Sequence, residues 1–475
     1  MSSYSLNLFH KVAQSVPAYK DFLKKNKIDP KKVKNFVDLQ SVPVISKQNY
    51  LRKYSLTALC FDGKLDDKAF VFTATSGSTG TPFYFPRDEV LDWQYSYYLE
   101  LFINNLGPGR KKRSTLVVDA FGMGVWIGGL ITYQAWRMLA LRGYPITIIT
   151  PGINKKEIFD AFQNLAGNFD QVILCGYPPF VKDIIDEGEL VHGIKWKEFN
   201  IKFLFAAEAF GENYRNYLVK KTGIKNVYRD MANVYGSADL GAMAIETPVS
   251  ILARRVAVNN ERLFVELFKG ATKIPTLAQF DPRFINFEAP EGVVLCTGYN
   301  ALPLVRYAIG DHGGIMSMKE LLVIFKNAGV DLMKECRRVK IEKTVKDLPF
   351  VYVYERLDFS TKLFGAIIYP EHVKRALEHS SIQNFLTGKF SMSTEVDADE
   401  NQYLYIHLEM KIGVKESREL SDITCKLIVE SLNKNNAEYK NNYQTIPEKV
   451  TPRLSFWTYE HPNYFKPGTK QKYVI

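Results

Sequence analysis

The sequence predicts an α/β protein: a large N-terminal domain of layered sheets and helices with a β-rich subdomain, then a small α+β C-terminal domain. Three observations lead there. Short β-branched or aromatic runs, Leu116 to Val118, Ile146 to Thr150, Val172 to Leu174 and Phe203 to Phe205, alternate with longer stretches of helical period, as in a parallel sheet covered by helices. The 475 residues suit roughly two to four structural units. A composition of 46% hydrophobic against 24% charged residues is that of a folded chain and excludes wholesale disorder.

Taken in order, the first sixty residues read as polar helices punctuated by Pro17, Pro30 and Pro43. Between Glu89 and Asn104, Leu91, Tyr95, Tyr98, Leu99 and Phe102 fall on one helical face and predict a core-facing stripe. The uncharged stretch between Asp119 and Arg137 is too rich in glycine for a membrane span and predicts a buried loop and helix. Beyond Arg262, Leu263 to Leu267 and Gly292 to Cys296 read as strands of the β-rich section. The tail after Arg356 predicts a helix from Pro370 to Glu378 and a strand from Tyr403 to His407. The expected division is 1–356 and 357–475.

A net charge of +11 and a pI near 9.1 favour anionic partners such as nucleotides or phosphates. The one dense basic run, Arg110 to Arg113, lacks interleaved aromatics and reads as a solvated loop, so nucleic acid is not an expected partner. Five scattered cysteines without a CxxC pair predict a reducing compartment, and the first residues show no secretory pattern; the expected location is cytoplasmic. No HExxH and no close Cys/His spacing is present, which argues against a structural zinc or a metalloprotease, so a metal is expected to arrive with a substrate.

Chemistry concentrates in three segments. Val71 to Ala74 leads into Thr75, Ser76, Gly77, Ser78, Thr79, Gly80, Thr81 and Pro82, a loop whose backbone N–H groups and hydroxyls suit a phosphate. It lacks the Walker A lysine and spacing, which disfavours a P-loop NTPase, and on its own it is also an ordinary turn. The second segment is Asn233, Val234, Tyr235, Gly236, Ser237, Ala238, Asp239; the third is Leu304, Val305, Arg306, Tyr307, Ala308, Ile309, Gly310, Asp311. Each ends in an acid beside small residues, equally suited to face a ligand or to cap a turn.

Together, and in this order, the three segments resemble the adenylate-forming (acyl-CoA synthetase-like) superfamily, within it the phenylacetate-coenzyme A ligase and capsular polysaccharide biosynthesis branch. Thr75 to Pro82 is similar to that family's phosphate loop, Tyr235 to Asp239 to its Tyr-Gly-x-x-Glu/Asp motif, and Leu304 to Asp311 to its Arg-Tyr-x-x-Gly-Asp motif. Val16, Pro17, Ala18 and Tyr19, then Leu39, Val42, Pro43, Ser46 and Lys47, resemble the branch's lead-in. Ala206, Ala207 and Glu208 lie where the family places its adenine-contacting turn. Arg356, Asp358, Gly365, Tyr369, Pro370 and Glu371 resemble the hinge and small-domain opening.

The resemblance implies ATP, Mg²⁺ and coenzyme A, or another thiol or amine acceptor, as cofactors and substrates, with a small carboxylic acid as the activated partner. An acceptor or carrier protein stays open. It implies that Ser76, Gly77, Ser78, Thr79 and Gly80 cradle the β- and γ-phosphates, that Asp239 helps hold Mg²⁺, and that Tyr235, with Gly236 and Ser237, lies near the adenine. Asp311 would meet the ribose hydroxyls. Arg306 would be a cation near the nucleotide or half of a buried salt bridge. The C-terminal lysine falls best on Lys470, with Lys472 and Lys466 as rivals, and Asp358 on the hinge about which a mobile small domain swings. The Phe121 to Leu130 segment with Trp126, and Gly176 to Pro179, would line the acyl pocket. Two departures stand out: Thr81 replaces a lysine common in relatives, and Ala308 with Ile309 replaces an Arg-Thr pair. The uncharged Thr81 keeps a non-catalytic nucleotide-binding relative open as well.

Overall fold

A computed structural model describes residues 2–66, 69–74, 83–106, 113–124, 127–269, 271, 274–356, 360–382, 384–465 and 474. The chain divides into two compact units. The first comprises Met1–Thr73, Tyr84–Gly176 and Ile184–Glu355; the second comprises Ala74–Phe83, Tyr177–Asp183 and Arg356–Ile475.

The strands, in chain order, are β1 (Val71–Ala74), β2 (Tyr84–Arg87), β3 (Thr115–Asp119), β4 (Ile146–Ile149), β5 (Gln171–Gly176), β6 (Ile201–Ala206), β7 (Met231–Ser237), β8 (Gly241–Ile245), β9 (Thr276–Gln279), β10 (Ile285–Glu288), β11 (Val293–Gly298), β12 (Leu304–Met316) and β13 (Phe350–Arg356). The second unit adds β14 (Thr361–Leu363), β15 (Ala366–Ile368), β16 (Leu386–Val396), β17 (Gln402–Met410) and β18 (Arg453–Trp457). β1 and β2 form a small two-stranded sheet. Eleven strands of the first unit share one sheet, in the order β10-β11-β12-β13-β9-β8-β7-β6-β5-β3-β4.

Half of that sheet is parallel. β4, β3, β5, β6 and β7 pair in parallel, and β3 and β5 are buried along their whole length, as expected of strands covered on both faces. From β3 the chain goes to β4 on one side and then to β5 and onward on the other, so the order reverses between β3 and β5. In such sheets ligands bind beyond the carboxyl ends of the strands. The predicted motif residues Ala207, Glu208 and Asp239 follow the carboxyl ends of β6 and β7.

In the other half β7–β8, β8–β9, β9–β13, β10–β11 and β11–β12 pair antiparallel. The expected β-rich section therefore continues the same sheet. One expectation fails: Leu263 to Leu267 is not a strand but the body of the helix Glu261–Leu267. Leu263, Phe264 and Val265 make a short apolar run that suits a strand, but Asn260 caps the backbone N–H of Leu263, and Leu263 and Leu267, four apart, are the buried pair.

The helix Glu89–Asn105 buries Leu91, Tyr95, Tyr98, Leu99 and Phe102, and the helix Ile127–Leu141 follows the glycine-rich loop. In the second unit β16 and β17 pair antiparallel and β17 and β18 parallel. The helices Pro370–Leu377 and Arg418–Asn435 contact each other through buried residues that include Val373, Ile428 and Leu432. No described helix is long and apolar enough to cross a membrane. All five cysteines are free thiols.

Candidate active site

Strand β7 ends at Ser237, a short turn carries Asp239, and β8 returns from Gly241. The turn is held from several sides. Leu240 N donates to Ser237 Oγ (3.3 Å), Asn300 Nδ2 donates to the Asp239 carbonyl (2.9 Å), and Thr73 Oγ1 at the end of β1 reaches the Ala238 carbonyl (3.5 Å). Gly241 needs its missing side chain: it has φ +72° and a Cβ there would lie 2.8 Å from the Arg87 guanidinium. Asp239 is buried, yet among the described residues its Oδ1 has no hydrogen-bond partner; Lys47 lies 3.8 Å away.

The two acidic motifs meet. Tyr235 on β7 donates its phenolic proton to Asp311 Oδ2 on β12 at 2.7 Å, across strands 76 positions apart in sequence. Burial pushes the thiol of Cys296 on β11 well above the usual thiol range, and the Asp311 and Asp239 carboxylates push it further. Beyond β6, Ala207 adopts a left-handed φ of 73°, a strained conformation for a residue with a side chain, and the Glu208 carbonyl accepts from Asn233 Nδ2 on β7 (3.0 Å). The predicted residues Ala207, Glu208, Tyr235, Gly236, Ser237, Asp239 and Asp311 therefore lie on β6, β7, β12 and the turns directly after the first two.

Arg306 is placed differently. It pairs with Glu288 (3.0 Å), donates to the carbonyl of Val42, and is 6% exposed with φ +49°. Of the two roles the sequence left open, this geometry is the buried salt bridge. It also threads the N-terminal segment onto β12: Ile45 N donates to the Arg306 carbonyl (3.2 Å) and Ala308 N to the Ile45 carbonyl (2.8 Å). Lys47, two residues on, is thereby brought to Asp239. Sequence reading placed Lys47 in the lead-in without a role; the spacing of a lysine two residues after a buried β-bridge carries no signal until the bridge is seen.

Arg87 was also missed. It follows the Ser/Gly loop on β2, is 2% exposed, and its three guanidinium nitrogens have no hydrogen-bond partner among the described residues; Asp92 lies at 3.8 Å. Burial lowers its pKa to about 10, so it stays charged at neutral pH. At the carboxyl end of β3, Asp119 is fully buried in register with Cys175 and accepts from Phe121 N (3.3 Å), and burial pushes its carboxyl well above the usual carboxylate range. Phe121, from the expected acyl-pocket segment, is buried beside it in sequence.

Several expected residues fall outside the described ones: Thr75, Ser76, Gly77, Ser78, Thr79, Gly80, Thr81 and Pro82, Trp126, Asp358, and the lysines Lys466, Lys470 and Lys472. Among the described residues, no three His, Cys, Asp or Glu side chains converge as a metal site. Mg²⁺ is usually held by one or two carboxylates together with substrate phosphates. Asp239, with an unbonded carboxylate oxygen, fits as such a ligand.

No family model matches the chain. A phenylacetate-coenzyme A ligase of Thermus thermophilus is 21% identical over 305 residues, 63% of this chain, and the match spans 61% of that ligase's length. A crystal structure of 2-hydroxyisobutyryl-CoA ligase with 2-HIB-AMP and CoA in the thioesterification state superposes with a TM-score of 0.63 at 15% identity, over 99% of this chain and 88% of that one. The same ligase in its postadenylation state gives 0.54 at 14% identity, again over 99% of this chain and 88% of that one. This chain has the fold of the adenylate-forming ligases.

Proposed function

We propose that this protein is an ATP-dependent carboxylate ligase: it joins a small carboxylic acid to AMP with release of pyrophosphate, then passes the acyl group to a thiol, coenzyme A. The observation that carries the reading is the Tyr235–Asp311 hydrogen bond at 2.7 Å, which unites two distant acidic motifs beside Asp239. The fold shared with a CoA ligase and the similarity to a phenylacetate-coenzyme A ligase support it.

Such a reaction needs no side-chain nucleophile. The substrate carboxylate attacks the α-phosphorus, the bond to the bridging oxygen breaks, and pyrophosphate leaves with that electron pair. The protein must align two anions that repel each other and offset charge on the phosphoryl oxygens. In this chain Asp311 would orient the ribose while Tyr235 fixes its carboxylate, and Ser76 to Gly80 would offer donors to the phosphates. Asp239 would hold Mg²⁺, which supplies charge neutralisation at the phosphates when bound. Lys470, with Lys472 and Lys466 as alternatives, would bridge the acid and the α-phosphate, and Asp358 would serve as the pivot between the two half-reactions.

The test is direct. With ATP and Mg²⁺, only some members of a panel of carboxylic acids should trigger pyrophosphate release, and hydroxylamine should trap the activated acyl group. Coenzyme A, a carrier protein and amines, added in turn, then identify the acceptor. Lys470→Ala should abolish most adenylate formation and leave ATP affinity within a few fold. ATP turnover that ignores every acid on the panel would sink the reading.

A further inference from the structure

We infer that Lys47, from the N-terminal segment, is a phosphate-contacting cation of the nucleotide site. The inference rests on the nucleotide reading above and goes beyond it by assigning a residue from a part of the chain with no place in that mechanism.

A triphosphate carries several negative charges, yet the Thr75 to Pro82 loop contains no lysine or arginine. Backbone donors and Mg²⁺ leave a need for a cation within the first unit. Arg306 is spoken for: Glu288 and the Val42 carbonyl take its donors. Arg87 is 2% exposed, with its guanidinium against Gly241.

Lys47 differs from both. Its side chain is 37% exposed, and its only ion pair among the described residues is the long 3.8 Å contact with Asp239. An ammonium group at that distance is neither hydrogen-bonded to the carboxylate nor free of it. When a divalent cation takes the same carboxylate, Lys47 faces a like charge, and the anion that relieves both is a phosphate lying between them. The ammonium has the reach and the three donors to hold phosphoryl oxygens as a point charge.

The backbone beneath Lys47 is set for this. Ile45 is fully buried and bridges to Tyr307 on β12, the strand that carries Asp311. Ser46 and Asn49 close a reciprocal turn, Ser46 N to Asn49 Oδ1 at 2.7 Å and Asn49 N to Ser46 Oγ at 3.2 Å, and Arg52 N donates to the Lys47 carbonyl at 2.9 Å. A lysine needed only for solubility would not require both flanks pinned.

The experiment compares Lys47→Met and Lys47→Arg with the unaltered protein, using ATP and adenosine as probes with Mg²⁺ present, and follows thermal unfolding alongside. The expected result is that Lys47→Met weakens ATP binding by about tenfold or more, leaves adenosine within about twofold, and keeps its unfolding temperature, while Lys47→Arg recovers most of the loss. An equal loss for ATP and adenosine, or no loss for ATP, would overturn the assignment. If the unaltered protein binds no ATP, the nucleotide reading itself falls; if it binds ATP and Lys47→Met binds it as well, only the role of Lys47 falls.

Discussion

The β7–β8 hairpin carries buried acids at its two ends, and they are treated in opposite ways. At the open end, just after β8, both carboxylate oxygens of Glu246 are engaged. Arg215 and the backbone N–H of Asn233 (2.9 Å) take one, and Arg254 takes the other at 2.6 Å. Glu212 extends the cluster to Arg254 and Arg255. At the turn end, Asp239 is as deeply buried but among the described residues keeps an unbonded oxygen and one distant cation. A buried charge short of partners costs stability. The difference marks Glu246 as an acid that serves the fold and, on the proposed reading, Asp239 as the acid kept for a ligand.

The largest effect that breaks or upholds this contrast is on activity. Asp239→Asn should lower acid-dependent pyrophosphate release by about a hundredfold or more while moving the unfolding temperature little, since no hydrogen bond to Oδ1 is lost. Glu246→Gln should do the reverse: it leaves Arg215 and Arg254 buried beside a neutral group and should cost about 3–5 kcal/mol in a denaturant titration. If Glu246→Gln unfolds no more readily than Asp239→Asn, the contrast is wrong.

A smaller effect sharpens it within the site. Tyr235→Phe removes the donor to Asp311 and should weaken ATP binding about fivefold, read by calorimetry, with the sheet intact because the ring still packs near Phe287.

Another effect lies in the second unit and separates fold from site at low pH. His372 is buried, and desolvation pushes its pKa down to about 4, with Arg375 adding to the shift. An unfolded chain binds that proton near pH 6.5, so between about 6.5 and 4 the unfolded state holds more protons and stability falls as pH drops. The loss should be on the order of 2 kcal/mol at pH 5, seen as a pH-dependent melting temperature that flattens in His372→Gln. Activity lost in acid beyond that amount belongs to the site.

How much was legible in the sequence follows the physics of each part. β3, β5 and β6 announce themselves as continuous apolar runs because both faces are buried. The stripe on Glu89–Asn105 shows because one helical face is core. Glu261–Leu267 misled because two buried residues in a seven-residue helix leave too little period to separate from a strand. In the site, Tyr235, Asp239 and Asp311 were visible as motif residues. Lys47 and Arg87 were not, since their importance comes from a β-bridge at Ile45 and a close approach to Gly241, contacts between segments far apart in the chain. The pairing of Arg306 with Glu288 needed the register of β10 against β11 and β12.

The most direct test of an adenylating site built around Asp239 is ATP–pyrophosphate exchange, measured with a responsive acid from the panel in the unaltered protein and in Asp239→Asn. Label should enter ATP only when the acid is present, and the exchange should be nearly lost in the variant. Exchange at an unchanged rate in Asp239→Asn, or release of ADP in place of pyrophosphate, would contradict it.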